Sequence, residues 1–392
     1  MTRRLLAAAA AATFAAGAAG AQTQGVTDDE IVVGAHTDLS GIFASFGAPS
    51  VRAAEIFFDE INAEGGVHGR RIRFVVEDTG YQVPKAVQAT NKLVNRDEIF
   101  AMLLALGTPH NIASFKLLDR KGIPNVMPVT AARQMLSEPI ENKWAGLASY
   151  YDGMRALTQY MHENEGSSKF CAMYLPTDFG QEVIEGVKAE AEELGVEFLA
   201  ETTHKPDEVD FGGALSRLRE EGCDTVALAL GLRQIIATLG TAKKLGWEEG
   251  VDFIGSSAAF HTVVAKVPGG VTDGFVVSAG WQDIEDRLDE PAVAEWVEKF
   301  RASTGSDDLP GTGALLGRMG AETFVRALEA AGRDLTHESF RDAMYTLDYY
   351  DEIGGLQVDY GPDDHQGGDT IYVSRIVDGT WEMIGEMPPA TN

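Results

Sequence analysis

Residues 60–86 read EINAEGGVHGRRIRFVVEDTGYQVPKA, and the punctuation of that run decides the fold. Its first residues end a helix, Gly65 and Gly66 stop it, and His68 to Arg70 make a turn. In "RIRFVVE" the residues Ile72, Phe74 and Val76 fall on one face, the two-residue period of a strand. The acidic exit from Glu77 leads to a new helix at Pro84, a residue suited to a first turn because no N–H is needed there. A helix, a strand and a helix in such close succession are one step of a β-α alternation.

That alternation continues in both directions. Upstream, "IVVGAH" reads as a strand and "PSVRAAEIFFDEINAEGG" as an amphipathic helix with Pro49 near its first turn. Downstream follow the helix "PKAVQATNKLVNRD", the strand "IFAMLLAL", the helix "HNIASFKLLDRKG" and the strand "IPNVMP". The rhythm pauses from Trp144 to Tyr151, then restarts with a helix through "YDGMRALTQYMHENEG". The strands "KFCAMYL", "VEFLAE", "DTVALAL" and "DFIG" then alternate with the helices "QEVIEGVKAEAEELG", "FGGALSRLREEG" and "RQIIATLGTAKKLG". After "GFVVSAG" come three long helices and the short strands "LQVDY", "TIYVSRI" and "TWEMI". This order predicts an α/β protein of two doubly wound, Rossmann-like lobes, each a parallel sheet with helices on both faces. Ligands of open α/β sheets sit beyond the carboxyl ends of the strands, so two facing lobes enclose a cleft.

The chain opens MTRRLLAAAAAATFAAGAAGAQTQ: two arginines, an alanine-rich apolar run, and Ala19-Gly20-Ala21 as a processing site. This predicts a signal peptide over residues 1–21, cleaved after Ala21, and a soluble product exported to the periplasm. The Arg3-Arg4 pair would also suit twin-arginine export, although two basic residues are an ordinary leader start. No later apolar run reaches the eighteen or so residues of a membrane span, and no cysteine follows the cleavage site to carry a lipid. About 370 residues remain, more than one core usually holds. The formal charge of −28 becomes −30 without Arg3 and Arg4 (−28 − 2), which speaks against nucleic acid and anionic lipid as partners. Cys171 and Cys223 are too few for a disulfide framework or a zinc site. Each sits near the start of an apolar run, so two buried free thiols are the default reading, with a bridge open if their strands are neighbours. There is no G-x-S-x-G, no H-E-x-x-H and no P-loop, and "GTGALLG" at 311–317 has one residue too many for a dinucleotide fingerprint. Neither an enzyme nor a cofactor is expected.

Three segments, "IVVGAHTDLSGIFASFG", "FFDEINAEGGVHGRRIRFVVEDTGYQVPKAV" and "NKLVNRDEIFAMLLALGT", together resemble a known family. They are similar to the type I periplasmic substrate-binding proteins of the branched-chain (hydrophobic) amino acid ABC transporter class, over nearly all of the chain after the leader. The resemblance implies two lobes joined by three hinge crossovers, near Gly146, Ser278 and Gly354. The N-terminal lobe would be 25–146 plus 279–353, and the C-terminal lobe 147–278 plus 354–392. It further implies a monomer that delivers a small solute to a membrane ABC permease with cytoplasmic ATPases. A periplasmic ligand-sensing subunit of a signalling receptor is the alternative.

In proteins of this kind the loop after the first strand closes over the ligand, which puts Phe46 at an aromatic position facing the cleft. "LALGTPHN" places Thr108 where a hydroxyl and a backbone N–H hold a ligand carboxylate. "MPVTAA" offers Val129 and Thr130 as the next partners, "LPTDFGQE" puts Phe179 at a packing position, and "ALGLRQ" brings in Gly231. Amino-acid binders of this class carry an acid after the strand matched by "DFIG", where it pairs with the ligand ammonium. Here Ser256 and Ser257 stand at that place and cannot supply the charge, so the expected ligand is a small carboxylate, either a hydrophobic amino acid or an aromatic or aliphatic acid; the acid without an ammonium group is favoured if Arg233, Arg133 or Arg318 also lines the cleft.

The residues themselves add to this. Thr108 before Pro109 reads as a helix N-cap, and a helix start offers free N–H groups and a positive dipole end to an anion. Arg233 opens a helix, where the dipole disfavours a cation, so it invites an anionic partner unless it is plain solvated surface. Arg133 and Arg318 follow the same logic more weakly. Tyr81 and Trp281 lie just past strand ends, where rings wall pockets or pack between lobes. Phe57 and Phe58 belong to the core. The candidate ligand set is Phe46, Tyr81, Thr108, Thr130, Phe179, Arg233 and Ser257, with no metal site.

Overall fold

The computed structural model describes residues 23–387, so the leader expected over residues 1–21 lies outside the described residues. The first sheet and its helices are built from β1 (Glu30–Thr37), α1 (Ala44–Ala63), β2 (Arg71–Asp78), α2 (Val83–Asn95), β3 (Ala101–Leu103), α3 (Thr108–Lys121), β4 (Asn125–Val126) and β5 (Lys143–Trp144). Next in the chain come α4 (Tyr150–Tyr160), β6 (Lys169–Tyr174), α5 (Asp178–Leu194), β7 (Glu197–Thr203), α6 (Gly212–Glu221), β8 (Thr225–Ala229), α7 (Leu232–Lys244), β9 (Asp252–Gly255), α8 (Thr262–Ala265) and β10 (Val276–Ala279). Then follow α9 (Pro291–Thr304), α10 (Thr312–Ala331), α11 (His337–Met344), β11 (Asp348–Asp351), β12 (Leu356–Asp359), β13 (Ile371–Val377) and β14 (Thr380–Met387).

The first sheet has the order β2-β1-β3-β4-β5 and is parallel throughout. The second has the order β14-β13-β10-β9-β8-β6-β7. In it β6 to β10 run parallel, while the β13–β14 hairpin joins β10 antiparallel. That hairpin turns on Asp378-Gly379, with φ of 49° and 77°, the pair of left-handed residues that a two-residue type I′ turn requires. The second lobe is therefore doubly wound with an antiparallel edge, where the sequence predicted parallel strands alone. β11 and β12 pair only with each other. In each lobe the strand order reverses once, between β1 and β3 and between β6 and β8, and such switch points are where α/β sheets bind ligands.

After β10 the chain returns to the first lobe, where α10 packs along α1. The glycines of "GTGALLG" make that contact possible. A Cβ on Gly313 would stand 2.5 Å from the Phe46 carbonyl oxygen, and one on Gly317 2.1 Å from that of Ser50. Spaced four apart, the two glycines lie on one helical face, so this glycine run serves helix packing.

Two local expectations are corrected. α1 begins at Ala44, not at Pro49, because Asp38 gathers the preceding loop and starts the helix early. Its carboxylate accepts from the amides of Ser40 (3.2 Å), Gly41 (2.5 Å) and Phe43 (2.9 Å). Pro49 then sits inside the helix with no N–H to give the carbonyl four residues earlier, that of Ser45. The default of two free thiols is also overturned: Cys171 in β6 and Cys223 just before β8 form a disulfide, with Cα atoms 5.9 Å apart. β6 and β8 are direct neighbours, a pairing that only the tertiary fold decides.

A cavity between the lobes

Between the two lobes lies a cavity of about 70 Å³, lined by residues from the carboxyl ends of most strands. Phe43 and Phe46 follow β1, Tyr81 follows β2, Leu104 to Thr108 follow β3, and Met127 to Ala131 follow β4. Gly146, Leu147 and Tyr150 come from the first crossing between lobes, Phe179 from α5, Ser257 and Ala258 from the turn after β9, and Trp281 from the loop after β10. A water-sized sphere needs roughly 10–15 Å³ on this measure, so the space suits a compact solute.

The chain reaches this cavity under local strain. Tyr81, Leu104 and Met127 have φ of 54°, 57° and 48°, left-handed values that side chains with a Cβ seldom adopt. All three line the cavity, and such strain collects at ligand sites. Asp78 explains how Tyr81 is held. Its carboxylate accepts from the Leu39 and Gly80 amides, both at 2.9 Å, and from the Ser40 hydroxyl at 2.7 Å. Although desolvation pushes its carboxyl up, these hydrogen bonds hold it below the ordinary value. The acidic exit of β2 thus ties two cavity loops together.

A belt of rings crosses the cavity wall. Tyr81 packs at a tilt against His110 (centroids 4.5 Å apart) and against Phe43 (4.6 Å), Phe43 meets Phe179 edge-on at 6.0 Å, and Phe179 meets Tyr150 edge-on at 5.3 Å. Opposite this apolar belt runs a chain of hydroxyls. Thr108 Oγ1 lies 2.7 Å from Thr130 Oγ1, and Thr130 and the Ala131 backbone also lie against the Tyr150 hydroxyl. Three hydroxyls carry three protons, so once they bond to one another at least one O–H is left for an acceptor in the cavity. Burial raises the Tyr150 and Tyr81 phenols above their ordinary value, Tyr81 by far.

Thr108 is not the N-cap expected from sequence. Gly107 is, with φ of 99°, and Thr108 is the first helical residue, so no side chain caps α3. The first-turn amides and the positive end of the helix dipole therefore face the cavity end of β3 uncovered, a ready anion seat.

Of the seven candidates from sequence, Phe46, Tyr81, Thr108, Thr130, Phe179 and Ser257 all line the cavity. Arg233 does not: it is exposed on the first turn of α7, and the expectation of a ligand contact there is corrected. The Gly231 amide beside it is taken by the Gln234 side chain at 3.1 Å. Arg133 and Arg318 also have protein partners. Arg133 clasps Glu182 of α5 through Nε at 2.9 Å and Nη2 at 3.2 Å and reaches Glu185 at 2.9 Å, an ion pair between the lobes. Arg318 pairs with Glu322 and lies over the Phe57 ring. Among the described residues, none with a charged side chain lines the cavity. Reading the sequence missed Phe43 and Tyr150. Phe43 was findable, since it stands three residues before Phe46 in "GIFASFG" and shares its face once the helix starts early. Tyr150 had no signal, because its role depends on where the first crossing passes.

One contact spans the lobes beside Phe46. His261, the residue that caps α8, accepts from the Val263 amide through Nδ1 at 3.0 Å. The proton must then be on Nε2, which lies 3.1 Å from the Ser45 carbonyl oxygen in α1. That carbonyl is the one Pro49 cannot satisfy.

Two α/β lobes that enclose a solute-sized cavity at their switch points define the type I periplasmic binding fold. The chain belongs to the periplasmic binding protein family, whose pattern matches residues 30–380. It is 23% identical over 197 residues to "Amino acid binding protein" of Pseudomonas aeruginosa, 50% of this chain and 53% of that protein, so it spans about half the length of that relative. It is 23% identical over 312 residues to "Leu/Ile/Val-binding protein homolog 2" of Brucella abortus, 79% of this chain and 80% of that one. Its structure is similar to that of a fatty acid ABC transporter substrate-binding protein from Thermomonospora curvata, with TM-score 0.85, 25% identity, and coverage of 94% of this chain and 95% of the other.

Proposed function

We propose that this protein captures a small hydrophobic carboxylate in the interlobe cavity and presents it to a membrane ABC permease with cytoplasmic ATPases. The observation that carries the reading is the pairing of an anion seat with a cavity that, among the described residues, no charged side chain lines. The free O–H of the Thr108, Thr130 and Tyr150 cluster and the uncapped start of α3 would hold the carboxylate through neutral donors and a dipole. Phe43, Phe46, Tyr81, Phe179 and Trp281 would enclose the apolar body.

The same lining argues against an α-amino acid. An ammonium group enclosed here would lose its hydration with no carboxylate to meet it, which costs several kcal/mol. The names of similar proteins span both chemistries, a fatty acid binder and Leu/Ile/Val-binding homologues, and the neutral Ser257 in the cavity wall supports the reading of an acid that lacks the ammonium. The lobes are assigned as residues 25–146 plus 279–353 and 147–278 plus 354–392, acting as a monomer in the periplasm. Calorimetric titration of the purified protein with leucine, valine, benzoate, 4-methylpentanoate and octanoate tests the proposal. Binding of one or more acids with no amino acid bound is the expected result, and tight leucine binding without acid binding would overturn it.

A further inference from the structure

A second, smaller chamber adjoins the cavity, sharing two wall residues with it. It holds about 10 Å³ and is lined by Ala148, Ser149, Tyr150, Gly153, Ser257, Ser278, Ala279, Gly280 and Ile371, of which Tyr150 and Ser257 also line the main cavity. Its walls come from two crossings between the lobes, around residues 148–150 and 278–280, so it takes shape where the hinge strands meet. That volume suits a single oxygen-sized group.

Its polar equipment is specific. Ser278 is 2% exposed, and its hydroxyl has no hydrogen-bond partner among the described residues. Ser149 is occupied, donating to the Asp152 carboxylate at 2.6 Å and accepting from the Asp152 amide at 3.0 Å. The chamber exists because residue 153 is glycine: a Cβ there would stand 3.0 Å from Ser278 Oγ, inside the space. A buried hydroxyl with no partner is costly, which favours a ligand group that completes it.

We propose that this chamber is a subsite for a neutral oxygen on the bound acid, a hydroxyl or keto group on the carbon beside its carboxylate. This rests on the carboxylate reading above. Tyr150 links the two places, since its hydroxyl belongs to the Thr108–Thr130 chain while the residue also walls the chamber. Ser278 and Ser257 can each donate and accept, so they match a hydroxyl or a carbonyl oxygen, whereas an ammonium would find no countercharge. Hydrophobic 2-hydroxy or 2-oxo acids are therefore the substrate class the site selects.

Calorimetric titration with three probes of one carbon skeleton tests this: 4-methylpentanoate, 2-hydroxy-4-methylpentanoate and leucine. The natural chain is expected to bind the hydroxy acid about tenfold tighter than the plain acid, and leucine most weakly. Gly153→Ala fills the chamber in mid-helix, where alanine is favoured, and Ser278→Ala removes the hydroxyl. Both should abolish the preference while leaving affinity for the plain acid unchanged. If the plain acid binds and the natural chain shows no preference, or if Gly153→Ala keeps it, the subsite is refuted and the carboxylate reading stands. If leucine outbinds both acids, the carboxylate reading falls with it, and failure of all three probes overturns the subsite.

Discussion

His261→Phe isolates what the interlobe contact contributes to ligand capture. Phenylalanine keeps a ring against Phe46, whose centroid lies 4.8 Å from that of His261, but it cannot donate to Ser45. In the closed form the Ser45 carbonyl then has neither an amide from Pro49 nor a proton from the other lobe. In an open form water satisfies it. The closed form alone bears the loss, about 1–2 kcal/mol, so apparent affinity should fall roughly 5- to 30-fold. Loss of the cap on Val263 affects both forms and largely cancels. Acidification should act on the same contact. Burial lowers the His261 pKa from its ordinary 6.5, with the Ser45 hydrogen bond opposing. Parting the lobes removes Ser45 and admits water, so the open form takes a proton more readily than the closed one. The contribution to closure is therefore complete above about pH 6.5 and is lost as pH falls through the window below it, by at most about tenfold in affinity per pH unit. Pro49→Ala gives Ser45 an amide partner within α1, so the cost of His261→Phe should shrink in that background, a coupling of about 1 kcal/mol. Titration calorimetry at pH 7.5 and 5.5 on the four proteins reads all of this. If His261→Phe binds within twofold of the natural chain at pH 7.5, and the natural chain is equally tight at both pH values, the reasoning is wrong.

Thr108→Ala breaks the hydroxyl chain at its start and should weaken acid binding about 10- to 100-fold, the range for a hydrogen bond to a charged group, as read by calorimetry. Arg233→Ala should leave the same affinity unchanged within about twofold, since the side chain is exposed and outside the cavity. Replacing both Cys171 and Cys223 with alanine removes a link between residues 52 apart and should destabilise the fold by about 2–4 kcal/mol in urea denaturation. Gly317→Ala drives a Cβ into the Ser50 backbone, so α10 must lift from α1, and a lowered Tm is expected together with weakened binding at Phe46.

Much of the fold was legible because it rests on local patterns. The glycine stop at Gly65-Gly66, the alternation in β2 and the proline at the start of α2 each report their element without help from distant residues. The errors fall where a distant group intervenes. α1 starts five residues early because the buried Asp38 carboxylate holds three amides, which no helical period reveals. β5 went unread because its two residues sit in the polar run "ENKWAG", whereas the equally short β4 is flanked by the apolar residues of "IPNVMP". At the site, Thr108, Thr130 and Phe179 were legible through strand-end positions, whereas Arg233 has the same kind of position and lies outside. β8 ends at a switch point like β6, but its following turn contributes nothing to the cavity, and only the facing of the lobes determines that.

The sequence by itself determined the alternating elements, the two lobes and the strand ends from which a ligand site would be built. These follow from the side-chain period and from the helix and strand stops, which act over a few residues. The tertiary structure alone decided that Cys171 meets Cys223, that Arg133 spends its charge on Glu182 across the cleft, and that His261 satisfies the carbonyl stranded by Pro49. It also decided that, among the described residues, no charged side chain walls the cavity. Each of these depends on groups brought together from separate parts of the chain, and the chain order carries no record of their distance.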